Sequence, residues 1–279
     1  MYNTKIIFSG DCIEIYKVNN YVIREDKKTE GSKRIDRILK AGSENSKRIK
    51  DCTGIVNPIG REKTLNKAKN NIIRLIRSND DMQTFITLTF AKELNYKESK
   101  AKLNNFFTKL RKRYPGLKYL WVLEYGDKNN RLHYHVLCNI PIGIKLSSSK
   151  ELKSNEHKTL EQEFNNKYWG YGFVDIRHLK AEENTNVALY VSMYIVKNMK
   201  DKNLEGYRVY GYSHKTLNKP AVFKYYSKET VEDLIKNYCN YKIKYQNNYD
   251  IGYIDWKREH KGNVTYIELI KNKGEEWLC

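Results

Sequence analysis

The chain contains no apolar run approaching the roughly 18 residues of a membrane-spanning helix. Its opening residues, MYNTKIIFSG, lack the apolar core of a signal peptide. Both absences lead to the expectation of a cytoplasmic protein with no membrane partner. No GxxxxGK[ST] occurs, so no P-loop ATPase is built in. CxxC is also absent, and the five cysteines (Cys12, Cys52, Cys138, Cys239, Cys279) are odd in number. They read as reduced thiols, not as a disulfide frame or a zinc site. There is no internal repeat, and histidine is scarce, with six in 279 residues.

Positive charge is abundant. There are 52 Lys+Arg against 33 Asp+Glu, a formal net charge of +19. A surplus of that size favours a polyanionic partner, because neutralising phosphates releases their counterions. Hydrophobic residues make up 40% of the chain, enough for a sizeable core.

The patterning divides the chain into three. Residues 1–80 form a basic N-terminal segment of edge strands and helices. Residues 5–8 and 12–24 suggest a short hairpin, and 24–77 carries 16 basic and 7 acidic residues. Within it DRILK and NIIRLIR look helical, whereas GSENSK and VNPIG look like loop. Residues 81–220 carry the strongest signals. QTFITLTF (83–90) is β-branched and aromatic, hence a strand. Leu103, Phe106, Phe107 and Leu110 recur at helical spacing and predict a helix over 97–112, stopped by YPG. KYLWVLEYG (118–126) and LHYHVLCNI (132–140) read as strands joined by the loop GDKNNR. Leu160, Phe164 and Tyr168 mark another helix, and YGFVDIRHL (171–179) another strand. A further helix runs to about 200, capped by Asn184, Thr185 or Asn186. YRVYGYS (207–213) is a last strand. Residues 221–279 form a C-terminal extension, helical over 221–235 and then tyrosine-rich. The fold class expected is α+β: a mostly antiparallel, about five-stranded central sheet with helices packed on it.

The chemistry concentrates in RLHYHVLCNI (131–140). Alternate strand residues share a face, so His133 and His135 point one way and Tyr134, Val136, Cys138 and Ile140 the other. If Tyr125 pairs with Leu132, Glu124 lies directly across from His133 on the histidine face. Two imidazoles and a carboxylate suit a divalent cation that activates a phosphate. On the helix NVALYVSMYIVKNM, Tyr190, Tyr194 and Lys197 share one face, with Leu189, Met193 and Val196 on a neighbouring apolar stripe. A tyrosine hydroxyl is a weak nucleophile at neutral pH, but a nearby cation offsets charge developing on a phosphate.

These motifs resemble those of the HUH endonucleases, and within them the rolling-circle replication initiators of plasmids and small single-stranded DNA phages. FITLTF (85–90) is similar to the first motif, EYGDKNNRLHYHVL (124–137) to the metal motif and YVSMYIVK (190–197) to the tyrosine motif. The resemblance spans about 83–220. It implies an HUH/Rep nuclease-like fold, with Mg²⁺ or Mn²⁺ held by His133, His135 and Glu124. It implies a tyrosine that nicks single-stranded or hairpin origin DNA, stays on the 5′ phosphate and leaves a 3′-OH primer. It also implies a separate helicase and a host polymerase as partners. Where paired-tyrosine relatives carry Lys before the second tyrosine, this chain has Met193. Tyr194 keeps Lys197 three residues on, so Tyr194 is the first candidate nucleophile and Tyr190 the second. The alternatives are an HUH relaxase, a single-strand transposase, or a non-catalytic nucleic-acid-binding protein on the same scaffold. Motif order opposes a relaxase, whose tyrosines precede the histidines.

Overall fold

A computed structural model describes residues 2–19, 58–126, 131–147, 151–179, 187–199, 207–254 and 259–272. In chain order the elements are β1 (Thr4–Ser9), β2 (Cys12–Asn19), α1 (Pro58–Arg77), β3 (Thr84–Phe90), α2 (Tyr96–Arg113), β4 (Tyr119–Tyr125) and β5 (Leu132–Cys138). There follow α3 (Asn155–Phe164), a π-helical turn (Asn165–Trp169), β6 (Gly172–His178), α4 (Val187–Met199), β7 (Tyr210–Tyr212) and β8 (Ala221–Tyr225). The last are α5 (Val231–Lys236), β9 (Tyr241–Ile254) and β10 (Glu259–Lys271). From β3 to β7 the order of strands and helices is the one expected from the patterning.

The chain forms two compact units. One comprises residues 58–219, and the other joins 1–57 to 220–279. The sequence division at 80 and 220 differs from this at its first boundary, because α1 packs against α4. VNPIG, expected as loop, supplies the start of α1, with Pro58 as its first helical residue. Proline suits that position, where no N–H is needed. DRILK, GSENSK, residues 127–130 of the hairpin loop and the caps at 184–186 lie outside the described residues.

In the unit 58–219 the sheet order is β6-β3-β5-β4-β7, and every pairing is antiparallel. One face carries Ile86, Leu88 and Phe90 of β3 beside Tyr134 and Val136 of β5. The apolar stripe of α2 covers it: Leu103, Phe106, Phe107 and Leu110 are all buried. The Tyr134 hydroxyl meets Ser99 Oγ of α2 at 3.0 Å, which satisfies both polar groups inside the core. Asn95 and Glu98 close a capping box at the start of α2. Trp169 packs on Phe90 and donates its indole N–H to the Thr89 carbonyl at 3.1 Å. The opposite face carries the histidines and is covered by α4. Both faces are therefore packed, and His135 is buried rather than water-facing.

In the second unit the two ends of the chain share one antiparallel sheet, in the order β8-β1-β2-β10-β9. Gly10, at φ 57°, makes the tight turn between β1 and β2, a conformation that favours glycine. Ile6, Ile13, Ile15, Ile267 and Leu269 bury against Val231 and Leu234 of α5. The helix expected over 221–235 is a strand followed by one short helix. The β-branched and aromatic run AVFKY finds a free edge at β1, and Pro220 precedes it. Cys12 and Cys138 are buried free thiols, but Cys239 is disulfide-bonded, which corrects the expectation of reduced thiols throughout. An odd count without CxxC excludes a regular frame, but not one pair that the fold brings within reach. Among the described residues no helix is long and apolar enough to cross a membrane.

Lys100 of α2 lies over the Trp121 ring at 3.6 Å. Burial, reinforced by nearby Arg208, lowers its amine from 10.5 to about 8. Between those two values the unfolded chain binds the extra proton, so folding stability rises with pH. Denaturation midpoints should therefore climb from pH 8 to 10.5 in the wild type relative to Lys100→Met, in which this contribution is absent.

Candidate active site

The site is built across three strands and one helix. β4 and β5 pair Tyr125 with Leu132 and Glu124 with His133, the register that brings the carboxylate onto the histidine face. β3 pairs Thr87 with His135 and Thr89 with His133, and β6 adds Asp175 and Phe173 opposite the same two threonines. Two parallel rows result. One reads Asp175, Thr87, His135, Val122, and the other Phe173, Thr89, His133, Glu124.

Helix α4 lays its tyrosines on these rows. The Tyr194 ring stacks on His135 with centroids 3.9 Å apart. Tyr190 meets Tyr194 edge to face, and the Tyr194 hydroxyl donates to the Tyr190 hydroxyl at 3.0 Å. Phe85 of β3 touches all three rings: His135 at 5.6 Å, Tyr190 at 5.5 Å and Tyr194 at 6.1 Å. The neighbouring stripe behaves differently. Leu189 and Met193 are about half exposed and do not serve as core.

Glu124 is the electrostatic centre. Its Oε2 lies 2.8 Å from His135 Nε2, and its Oε1 accepts from the Lys197 ammonium. Burial pulls its pKa upward and is the largest single influence, but the bonds from His135 and Lys197 together outweigh it. The net result is a carboxyl held below its ordinary value, hence ionised at neutral pH. A carboxylate only accepts, so His135 Nε2 carries the proton in this arrangement, and Nδ1 of the neutral ring accepts from Thr87 Oγ1 at 3.2 Å. His133 is placed otherwise. Its ring lies against Gly126 and bonds the Arg131 backbone. Burial, then the neighbouring His135, holds its pKa below the usual histidine value. For Tyr194, burial, the bond to Tyr190 and the carboxylates of Glu124 and Asp175 all push the hydroxyl pKa up. It is a neutral phenol at physiological pH.

Glu124, His135, Lys197, Tyr194 and Tyr190 are thus in one contact network, while His133 lies beside it with its ring bonded elsewhere. Among the described residues no three His, Cys, Asp or Glu side chains are arranged to hold a metal ion. The donor set itself, two imidazoles and a carboxylate on one face, is suited in chemistry to a divalent cation. Thr87 and Phe85 are not singled out by the sequence motifs. They sit in FITLTF at the positions alternating with the core residues Ile86 and Leu88, but only the β3–β5 register reveals what they face.

Residues 83–199, less than half of the chain, match a protein family described as replication-associated protein, of the ORF2 type. The matched span runs from β3 through α4 and includes every residue of this network. No curated protein and no solved structure matches the chain.

A Cβ added at Gly126 would lie 2.3 Å from His133 Cε1, so the glycine makes room for the imidazole. Gly126→Ala should expel the ring from this position. The expected result is about 1–3 kcal/mol of lost stability in urea unfolding, with displaced His133 ring proton resonances.

Proposed function

We propose that this protein is a replication initiator that nicks single-stranded origin DNA through a tyrosine and rejoins strands at termination. The single observation that carries the reading is the Tyr194 ring stacked at 3.9 Å on His135, with Glu124 and Lys197 bonded beneath it. A nucleophile, an acid–base histidine, a carboxylate and a cation meet on one sheet face, in a chain of net charge +19. The family match over 83–199 adds to that support. The HUH/Rep-type nuclease fold belongs to the same proposal, as does the role of 81–220 as the endonuclease domain. So do a helicase and polymerase supplied in trans.

Tyr194 is the first nucleophile of this proposal and Tyr190 the second. Attack forms a bond from the tyrosine oxygen to phosphorus and breaks the P–O3′ bond, leaving a 5′-phosphotyrosine and a 3′-OH. The phenol proton has an acceptor already aligned, the Tyr190 hydroxyl at 3.0 Å. The released 3′ oxygen takes up a proton. Attack by a 3′-OH on the phosphotyrosine reverses the step and joins strands. Lys197, held by Glu124, supplies positive charge beside the tyrosines, where a phosphoryl group gains negative charge.

His133, His135 and Glu124 would hold Mg²⁺ or Mn²⁺, which when bound supplies Lewis-acid polarisation of the phosphate. For His135 to ligate through Nε2, its proton must move to Nδ1. Thr87 Oγ1 accepts a hydrogen bond as readily as it donates one, so the same partner serves both tautomers. The basic 24–77 segment is available for phosphate contacts with the origin, although such contacts carry no sequence information.

Incubation with single-stranded DNA from the replicon's own origin and Mn²⁺ should produce a covalent adduct on a denaturing gel. Tyr194→Phe and His135→Ala should abolish it, whereas no adduct from the wild type would sink the proposal. An adduct surviving Tyr194→Phe but lost in Tyr190→Phe would reverse the order of the tyrosines. Calorimetric titration of the free protein with Mn²⁺ should show about 10–100-fold weaker binding in Thr87→Val, since that side chain orients the ligating ring.

A further inference from the structure

One aromatic side chain on the site face has no role in the network. Phe173 of β6 is 67% exposed, while the next core-facing residues of the same strand, Val174 and Ile176, are buried. Single exposed apolar residues are common and mean little alone. Position distinguishes this one. Phe173 stands in the row Phe173, Thr89, His133, Glu124, on the histidine side of the sheet. With strands spaced about 4.8 Å apart, its Cα is about 10 Å from that of His133. The residue between them is Thr89, whose side chain is too short to shield the ring.

The electrostatic setting permits a phosphate chain to pass. Asp175, two residues along the same face, would otherwise repel it. Its carboxylate is held by Lys153 at 2.6 Å and by Arg177 at 3.1 Å. Lys153 also bonds Glu161 of α3, at 2.7 Å. Two cations and two carboxylates leave this corner without net charge, inside a strongly basic protein.

We propose that Phe173 is the stacking platform for a nucleobase adjoining the phosphate that is cut. This rests on the nicking proposal, and it specifies how the strand is held next to the nick. A flat, water-exposed ring at the edge of a sheet takes any base by its π face, so it positions the strand without selecting sequence.

The test is fluorescence anisotropy with a labelled oligothymidylate at one fixed salt concentration, using the full chain. Phe173→Ala should weaken binding about tenfold or more. Phe173→Leu, which keeps an apolar side chain, should weaken it similarly, and Phe173→Tyr should retain the wild-type affinity. An unchanged affinity in Phe173→Ala overturns the assignment, and so does a Tyr variant as weak as the Ala variant. The origin-adduct assay separates the two ideas. Wild-type adduct with no effect of Phe173→Ala on binding removes the platform and leaves the nickase, whereas oligothymidylate binding without any adduct removes the nickase.

Discussion

The pairing of β4 with β5 decides whether a site exists at all. In the observed register Glu124 faces His133, and His135 faces Val122 and Thr87. A slip of one residue would turn His133 and His135 toward α2 and put Tyr134 among the polar groups. That alternative is opposed from both sides of the sheet. Tyr134 and Val136 are fully buried against the α2 face, where imidazoles would lack partners. His135 in turn has a partner on each ring nitrogen in its actual place. The hydrophobic core and the polar site specify the same register, a consistency that favours one structure over its neighbours.

Glu124 performs for the electrostatics what the register performs for the geometry. A carboxylate 7% exposed needs compensation, and it receives two charge-assisted bonds from opposite directions, one from a strand and one from a helix. These bonds tie α4 to the sheet at the level where Tyr194 covers His135. The same carboxylate is the acidic member of the proposed metal set. Lys197 and a divalent cation therefore draw on one negative charge, and the position of the lysine is linked to what else the carboxylate binds.

The rest of the chain is organised by a different rule. Its sheet is assembled from β1 and β2 near one end and β8, β9 and β10 near the other, with β10 between β2 and β9. Neither end can form this sheet alone, because the buried isoleucines of β1 and β2 need Ile267 and Leu269 beside them. This is why the C-terminal residues have structure that a reading of neighbouring residues does not reveal.

Local patterning was sufficient for much of this. Strand alternation in LHYHVLC, helical spacing in α2 and the order of elements from β3 to β7 are set by interactions between residues a few positions apart. Even the Glu124–His133 pairing was accessible, since a short hairpin links partners close in sequence. The three motifs also point to the replication-initiator class without any geometry. What the sequence left undecided involves partners distant along the chain. The stacking of Tyr194 on His135, the bond from Lys197 to Glu124 and the service of Thr87 to His135 each join residues separated by dozens of positions. The turning of His133 toward Arg131 is a choice of rotamer, which no spacing rule expresses. The sequence by itself determined which residues share a face; only tertiary packing decided which of them touch, because contact depends on how α4 crosses the sheet and not on the period of either element.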